Sequence, residues 1–266
     1  LGDGSGGFVP APNSPIGVAV KPHPHGIATG DFNGDGCPDL VTDSWGDDRL
    51  EILLNDGKGG FRAPGIYVSV GKHPYQRIRV ADLNGDGKAD IVSPNLDGRN
   101  VSVLLGDGKG SFVQPTGSPF PCGDSPFNVA VGDANGDGLA DLAVVNSPSS
   151  TTDGAGRDGL TVLLGAGGGT FRTIVGGPLP LDRFPNIVAM GDVDGDGRAD
   201  VVVSNPDGNK ITIFTMTRRG RVASRRELPV PGHPKGVAIR DLDGDGKGDI
   251  VVTNNSARTV TVIFGK

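Results

Sequence analysis

The sequence predicts an all-β fold, a five-bladed β-propeller of four-stranded blades forming a single domain of 266 residues. Three observations predict it. An acidic nonapeptide recurs five times, with starts 51, 51, 59 and 49 residues apart, a spacing typical of propellers and solenoids. Short β-branched and apolar runs alternate with Gly-, Asn- and Pro-rich turns, and no segment shows the period of a helix. Glycine makes up 46 of the 266 residues, well above the usual share of about 7%, as a chain of many tight turns requires.

Within each repeat the elements come in one order. An apolar run precedes the nonapeptide (HGIATG, QRIRVA, FNVAVG, NIVAMG, KGVAIR) and reads as the first strand. After the nonapeptide comes a β-branched second strand (DLVT, DIVS, DLAVV, DVVVS, DIVVT), then a turn and a third strand (LEILL, VSVLL, LTVLL, ITIFT, VTVIF). A glycine hairpin (NDGKGGF, GDGKGSF, GAGGGTF) leads into a less regular fourth strand. Four strands in about 50 residues make a propeller blade. The expected blades are 15–66, 67–118, 119–178, 179–230, and 231–266 completed by 1–14. That last pairing follows because residues 1–8 (LGDGSGGF) match residues 105–112 (LGDGKGSF), while the chain stops at the end of a third strand. The N-terminal strand is therefore expected to join the last blade, closing the ring and hiding its sheet edges. Part of a seven-bladed ring is the alternative. Repeat four departs from the pattern, with FTMTRRGRV in place of the glycine hairpin.

The nonapeptides are DFNGDGCPD, DLNGDGKAD, DANGDGLAD, DVDGDGRAD and DLDGDGKGD, starting at residues 31, 82, 133, 192 and 241. Each places a carboxylate or amide at positions 1, 3, 5 and 9, with glycines at 4 and 6. A hard cation such as calcium takes six to eight oxygens at about 2.3–2.6 Å, and alternating Asp and Asn side chains on a tight turn supply them. The candidate side-chain ligands are Asp31, Asn33, Asp35 and Asp39 in the first loop, and Asp82, Asn84, Asp86 and Asp90 in the second. Asp133, Asn135, Asp137 and Asp141 follow, then Asp192, Asp194, Asp196 and Asp200, then Asp241, Asp243, Asp245 and Asp249. The position 7 residues Cys37, Lys88, Leu139, Arg198 and Lys247 add a backbone carbonyl each. About five calcium ions are expected. Loops four and five carry Asp at position 3 where the others carry Asn, and should be the tighter sites.

The DxNGDGxxD loop, the strand after it and the LLGxGxGxF hairpin resemble the FG-GAP/VCBS repeat family over essentially the whole chain. The resemblance implies a β-propeller with calcium in the loop joining the first two strands of a blade. It also implies a role in adhesion or ligand binding.

Composition narrows the functional classes. The formal net charge is −6, but 17 of the 31 acidic residues are loop aspartates. Five bound calcium ions would bring the holo protein to about +4, which leaves anionic partners such as acidic polysaccharide open. No 18-residue apolar stretch exists to span a membrane. Calcium loops of modest charge suit an extracellular or cell-surface setting. The sequence carries no GxSxG, HExxH or P-loop motif, and only two glutamates, Glu51 and Glu227. Enzymatic activity is not expected.

A glycan or protein ligand is expected on the end of the propeller opposite the loops, where the links between blades and the turns between strands two and three lie. All four histidines fall there, His23, His25, His73 and His233, with Trp45, Tyr75, Asn95 and Arg99. So does the longest turn, residues 147–159. Loops on a rigid scaffold commonly carry binding residues. The arginines at 218, 219, 221, 225 and 226 form a second candidate surface, or a solvated outer strand. A structural spacer without ligand is the alternative function, and a polysaccharide-active enzyme the remote one. A nucleic-acid partner is not expected, and a monomer is.

Overall fold

The computed structural model describes residues 1–2, 4–11, 13–75, 77–147, 156–174 and 177–265. It is all-β, with 21 strands in five antiparallel sheets. The first sheet holds β1 (Ile27–Gly30), β2 (Asp39–Ser44), β3 (Arg49–Leu53) and β4 (Ile66–Ser69) in sequence order. The second runs β5 (Arg79–Ala81), β6 (Asp90–Asn95), β7 (Asn100–Gly106) and β8 (Phe112–Val113), with β9 (Phe120–Pro121) also on β7. The third runs β10 (Pro126–Gly132), β11 (Asp141–Asn146), β12 (Gly159–Gly165) and β13 (Phe171–Thr173), with β14 (Leu179–Pro180) also on β12. The fourth holds β15 (Val188–Gly191), β16 (Asp200–Asn205), β17 (Lys210–Met216) and β18 (Val222–Pro229). The fifth holds β19 (Pro234–Arg240), β20 (Asp249–Asn254) and β21 (Thr259–Ile263). In the second and third sheets the outer strand is therefore split in two.

Each sheet is a meander of the repeat, and the core lies between sheets. Phe32, Val41 and Ile52 of the first repeat pack with Ile78, Ile91 and Leu104 of the second. Comparable clusters join the second sheet to the third, the third to the fourth and the fourth to the fifth. This face-to-face stacking of four-stranded units is that of a repeat β-propeller.

A small interlock recurs between neighbours. A Cβ placed on Gly110, in the second hairpin, would meet Leu54 Cδ1 of the first repeat at 3.5 Å. On Gly169, in the third hairpin, it would meet Leu105 Cδ2 of the second repeat at 2.6 Å. Gly220, in the fourth hairpin, seats Leu164 of the third in the same way. The irregular hairpin of repeat four thus keeps the glycine that matters. It also keeps the backbone closure, with Thr217 N–H donating to Arg221 O at 2.8 Å as Asp107 N–H does to Ser111 O at 3.0 Å.

The expected closure by the N-terminal segment is not what the structure shows. Gly2 pairs with Phe8, and Val9 N–H donates to Leu1 O at 2.8 Å, so the two ends of the segment pair with each other. Leu1 occupies the seat at Gly59, in the hairpin of the first repeat. Phe8, expected to cover a core, is 84% exposed. The fifth sheet keeps three strands, and among the described residues no apolar cluster joins it to the first sheet.

Candidate metal loops and an aromatic end

The five nonapeptides fold into one conformation, each between the first two strands of its sheet. Glycines at positions 4 and 6 all have positive φ, for example Gly34 at 74° and Gly36 at 81°, a region where a Cβ is strained. That bend lets the position 1 carboxylate gather backbone donors. Asp31 accepts from Gly34 N–H at 2.8 Å and Gly36 N–H at 2.9 Å, and Asp82, Asp133, Asp192 and Asp241 repeat the pattern. The position 5 carboxylate accepts the position 7 N–H in every loop.

Position 9 has a second task that the sequence did not announce. Asp39, Asp90, Asp141, Asp200 and Asp249 are fully buried. One oxygen of each accepts the position 2 N–H, and the other accepts an N–H at the end of the third strand. The aspartate thus bolts the loop to its own blade, while each carboxylate oxygen keeps a second lone pair for a cation. Burial pushes the Asp141 carboxyl up to about 6 and that of Asp200 to about 7, with neighbouring loop carboxylates adding to the shift. Asp90 moves in the same direction for the same reason. At the exposed position 5, hydrogen bonds act the other way. The Cys37 N–H lowers Asp35 and the Lys88 ammonium lowers Asp86.

In loops four and five, carboxylate oxygens from positions 1, 3 and 9 converge to within 4.8 Å of one another, as Asp192, Asp194 and Asp200 and as Asp241, Asp243 and Asp249. Three carboxylates at that spacing can hold a metal ion. In loops one and three the position 3 amide turns its Nδ2 to the position 5 carboxylate, 2.9 Å away for both Asn33 to Asp35 and Asn135 to Asp137. An amide oxygen remains a suitable ligand, so all five donor sets fit a hard cation. The loops also touch. Ala199 N–H donates to Asp133 O at 2.7 Å and Gly248 N–H to Asp192 O at 2.6 Å.

At the opposite end the structure gathers five of the eight predicted ligand-face residues. Trp45, on a 3-10 turn after β2, stacks on His73 with centroids 4.5 Å apart and planes at 16°. His25 lies 5.6 Å from Trp45 and 4.7 Å from Tyr75. His23 Nε2 is 3.1 Å from His25 Nε2. Tyr75 reaches on to Phe127 in β10 at 6.2 Å. His73 Nδ1 bonds Asp97 Oδ2 at 2.9 Å, which fixes its ring. Burial lowers the His25 pKa, Asp43 opposes this, and His23 and His73 add to it. Trp45 Nε1 is buried and has no hydrogen-bond partner among the described residues.

The other three stand apart. Asn95 is fully buried, and its Nδ2 bonds Asn100 Oδ1 at 2.7 Å and Ser102 Oγ at 2.9 Å. It is a strut between second and third strands, a role Asn146 and Asn254 share. Arg99 pairs with Asp124 at 3.2 Å. His233 has φ of 61° and donates its N–H to Asn209 Oδ1 at 2.9 Å, remote from the ring cluster. The turn at 147–159 lies largely outside the described residues. Of the arginine run, Arg225 is tied to Pro180 O and Glu227 on the exposed strand β18. Asp97 and Asp43 support the ring cluster and were not singled out by spacing or motif.

Among described residues, no helix is long and apolar enough to cross a membrane. The chain is 29% identical over 156 residues to cartilage acidic protein 1 of Xenopus tropicalis, covering 55% of this chain and 24% of that protein. It is 26% identical over 142 residues to a T-cell immunomodulatory protein homolog of Plasmodium yoelii yoelii, covering 46% of this chain and 20% of that one. The chain therefore spans a quarter or less of these curated relatives. A solved Bacteroides fragilis structure described as a 6-phosphogluconolactonase superposes with a TM-score of 0.55 at 19% identity, covering 78% of this chain and 55% of that one; this likeness concerns the fold alone. The FG-GAP repeat matches residues 23–48, and the FG-GAP-like repeat matches 44–93, 82–144, 150–203 and 192–252. With matches from the first loop to the last, this chain belongs to the FG-GAP-like repeat family.

Proposed function

We propose that the chain is a calcium-stabilised, non-catalytic binding module working outside the cell or at its surface. Its ligand is a glycan or protein held at the end opposite the loops. The observation that carries the ligand reading is the ring cluster. Trp45, His73, Tyr75, His25 and His23 come from three separate segments and meet beside an orphaned Trp45 N–H. Aromatic rings with a few polar groups on a rigid scaffold are the usual make-up of a recognition surface.

Calcium supplies charge neutralisation to loops that hold three or four carboxylates each. The side chains at positions 1, 3, 5 and 9 and the position 7 carbonyl would hold it, five ions per chain. Support for a non-catalytic role comes from the two glutamates. Glu51 is buried and accepts the N–H groups of Ala19 and Gly65, and Glu227 pairs with Lys210 and Arg225. Neither is free to act as an acid or nucleophile on a sugar.

Two measurements test this. Calorimetric titration of the stripped protein should give five calcium sites, and two or fewer would end the calcium reading. A site filled at a hundredfold over its Kd adds about 2.7 kcal/mol to folding, so excess EDTA should lower Tm markedly. A glycan and protein array screened in millimolar calcium should yield a ligand whose binding Trp45→Ala abolishes at unchanged Tm. A ligand found on the array but unaffected by Trp45→Ala and Tyr75→Ala would place the binding surface elsewhere.

A further inference from the structure

One inner-strand position can be compared across all five repeats. Three residues before the first aspartate of each loop stand Ala28, Arg79, Ala130, Ala189 and Ala238. Alanine leaves room between the inner strands. Arg79 alone puts a long cation there, on the first residue of β5. A cavity of 620 Å³ lies between the inner strands, lined by Arg79 with Ala130, Val131, Val188, Ala189 and Val237 among others.

Arg79 is half-buried in this wall. Among the described residues no carboxylate lies within ion-pair distance of it. Its guanidinium donates to the carbonyl of its own neighbour Ile78, at 3.3 Å. Burial and the nearby positive charge of Arg77 both disfavour its charged form. Asp192 and Asp241 line the same cavity, and so does a second cation, the exposed Arg240. The two aspartates stand at the loop ends of their strands, where their carboxylates accept the N–H groups of Gly195, Gly197, Gly244 and Gly246. A desolvated cation without a counter-ion is costly, and an incoming anion removes that cost. The planar fork of arginine matches a carboxylate in two parallel hydrogen bonds.

The ring cluster and the cavity sit at different heights along β10, about 10 Å apart at the rise of a strand. Tyr75 is four residues before Arg79, and its partner Phe127 is three residues before Ala130 of the cavity wall. We infer that the ligand is an acidic oligosaccharide, one sugar of which lies on the aromatic end while the carboxylate of another enters the inter-strand cavity to meet Arg79. This rests on the reading of that end as a binding face.

The test compares a trisaccharide ending in glucuronate with its methyl ester, by calorimetry in millimolar calcium. Wild type should bind the acid about ten- to a hundredfold more tightly than the ester, the range of a charge-assisted pair. Arg79→Ala should bring the acid down to the ester's affinity and leave ester binding and Tm unchanged, because four repeats already carry alanine there. Arg79→Lys, which keeps the charge and loses the fork, should fall between. An Arg79→Ala protein that binds the acid like wild type overturns the inference. So does a wild type that binds acid and ester equally, though the binding face then stands. Triglutamate binding in an Arg79-dependent way, with neither saccharide bound, replaces the sugar by an acidic peptide. Binding of none of the three probes, with Trp45→Ala also silent on the array, removes both readings.

Discussion

The third and fifth sheets are built on the same repeat pattern and are buried very differently. Every residue of β11 and β12 is buried. In the equivalent strands of the fifth sheet, β20 is buried on one face and β21 has no buried residue, with Val260 at 61% and Val262 at 44% exposed. The third sheet has a neighbour on each face. The fifth has the fourth sheet on one face, covering Ile250 and Val252. In a stacked repeat, then, the alternating pattern of a strand states which residues can be buried, and the neighbouring repeats decide which are.

The largest test of this contrast is a pair of core truncations followed by denaturant unfolding. Leu163→Ala in β12 should cost about 2–5 kcal/mol, the usual range for a buried leucine. Val262→Ala in β21 should cost less than about 1 kcal/mol, as exposed substitutions do. Equal costs would mean that the fifth sheet is covered in solution. A second pair separates backbone strain from the interlock between repeats. Gly167 has φ of 85° and open space for 4 Å around the point where a Cβ would sit, whereas Gly169, at φ of 72°, is seated against Leu105. Gly167→Ala should cost about 1–2 kcal/mol from its left-handed backbone. Gly169→Ala should cost about 1–3 kcal/mol more by overpacking, and equal losses would show that the leucine seat contributes nothing.

The smallest effect is expected between loops. Asp194→Asn gives loop four the donor set of loops one to three. It should weaken one calcium site about tenfold, since ligand charge tunes affinity, with little change in Tm at saturating calcium. Asn33→Asp should tighten the first site in return. If neither change moves a titration step, the position 3 residue is not a ligand.

The repeat was legible because its signals are local. Asp at position 1, glycines at 4 and 6 and the β-branched strand after them fix a turn and a strand with no help from the rest of the chain. The hairpin of repeat four looked degenerate, yet Gly220 kept its place opposite Leu164, and one retained shape mattered more than three arginines. What depends on distant partners was misread or unseen. The hairpin at residues 1–8 matches residues 105–112 letter for letter at most positions, but sequence similarity did not say which sheet it would join. Asn95 resembled a surface turn residue and proved to be an internal strut. The histidines were placed at the correct end, but the stacking of Trp45 on His73 depends on how two links cross, and neither link encodes that alone. Position 9 showed its carboxylate plainly and hid its bond to the third strand, 16 residues away in the first loop.

The leucine seats have a direction. Leu54 sits on Gly110, Leu105 on Gly169 and Leu164 on Gly220, so each seat is made by a later repeat and filled by an earlier one. As the chain leaves the ribosome, the leucine is already on a finished third strand when the next hairpin emerges to close around it. Each blade is thus the template for its successor. Such an array suits vectorial folding during synthesis, where domains and repeats order from the N-terminal side. The same polarity makes early repeats costlier to damage than late ones, because an error there deprives every later hairpin of its guide.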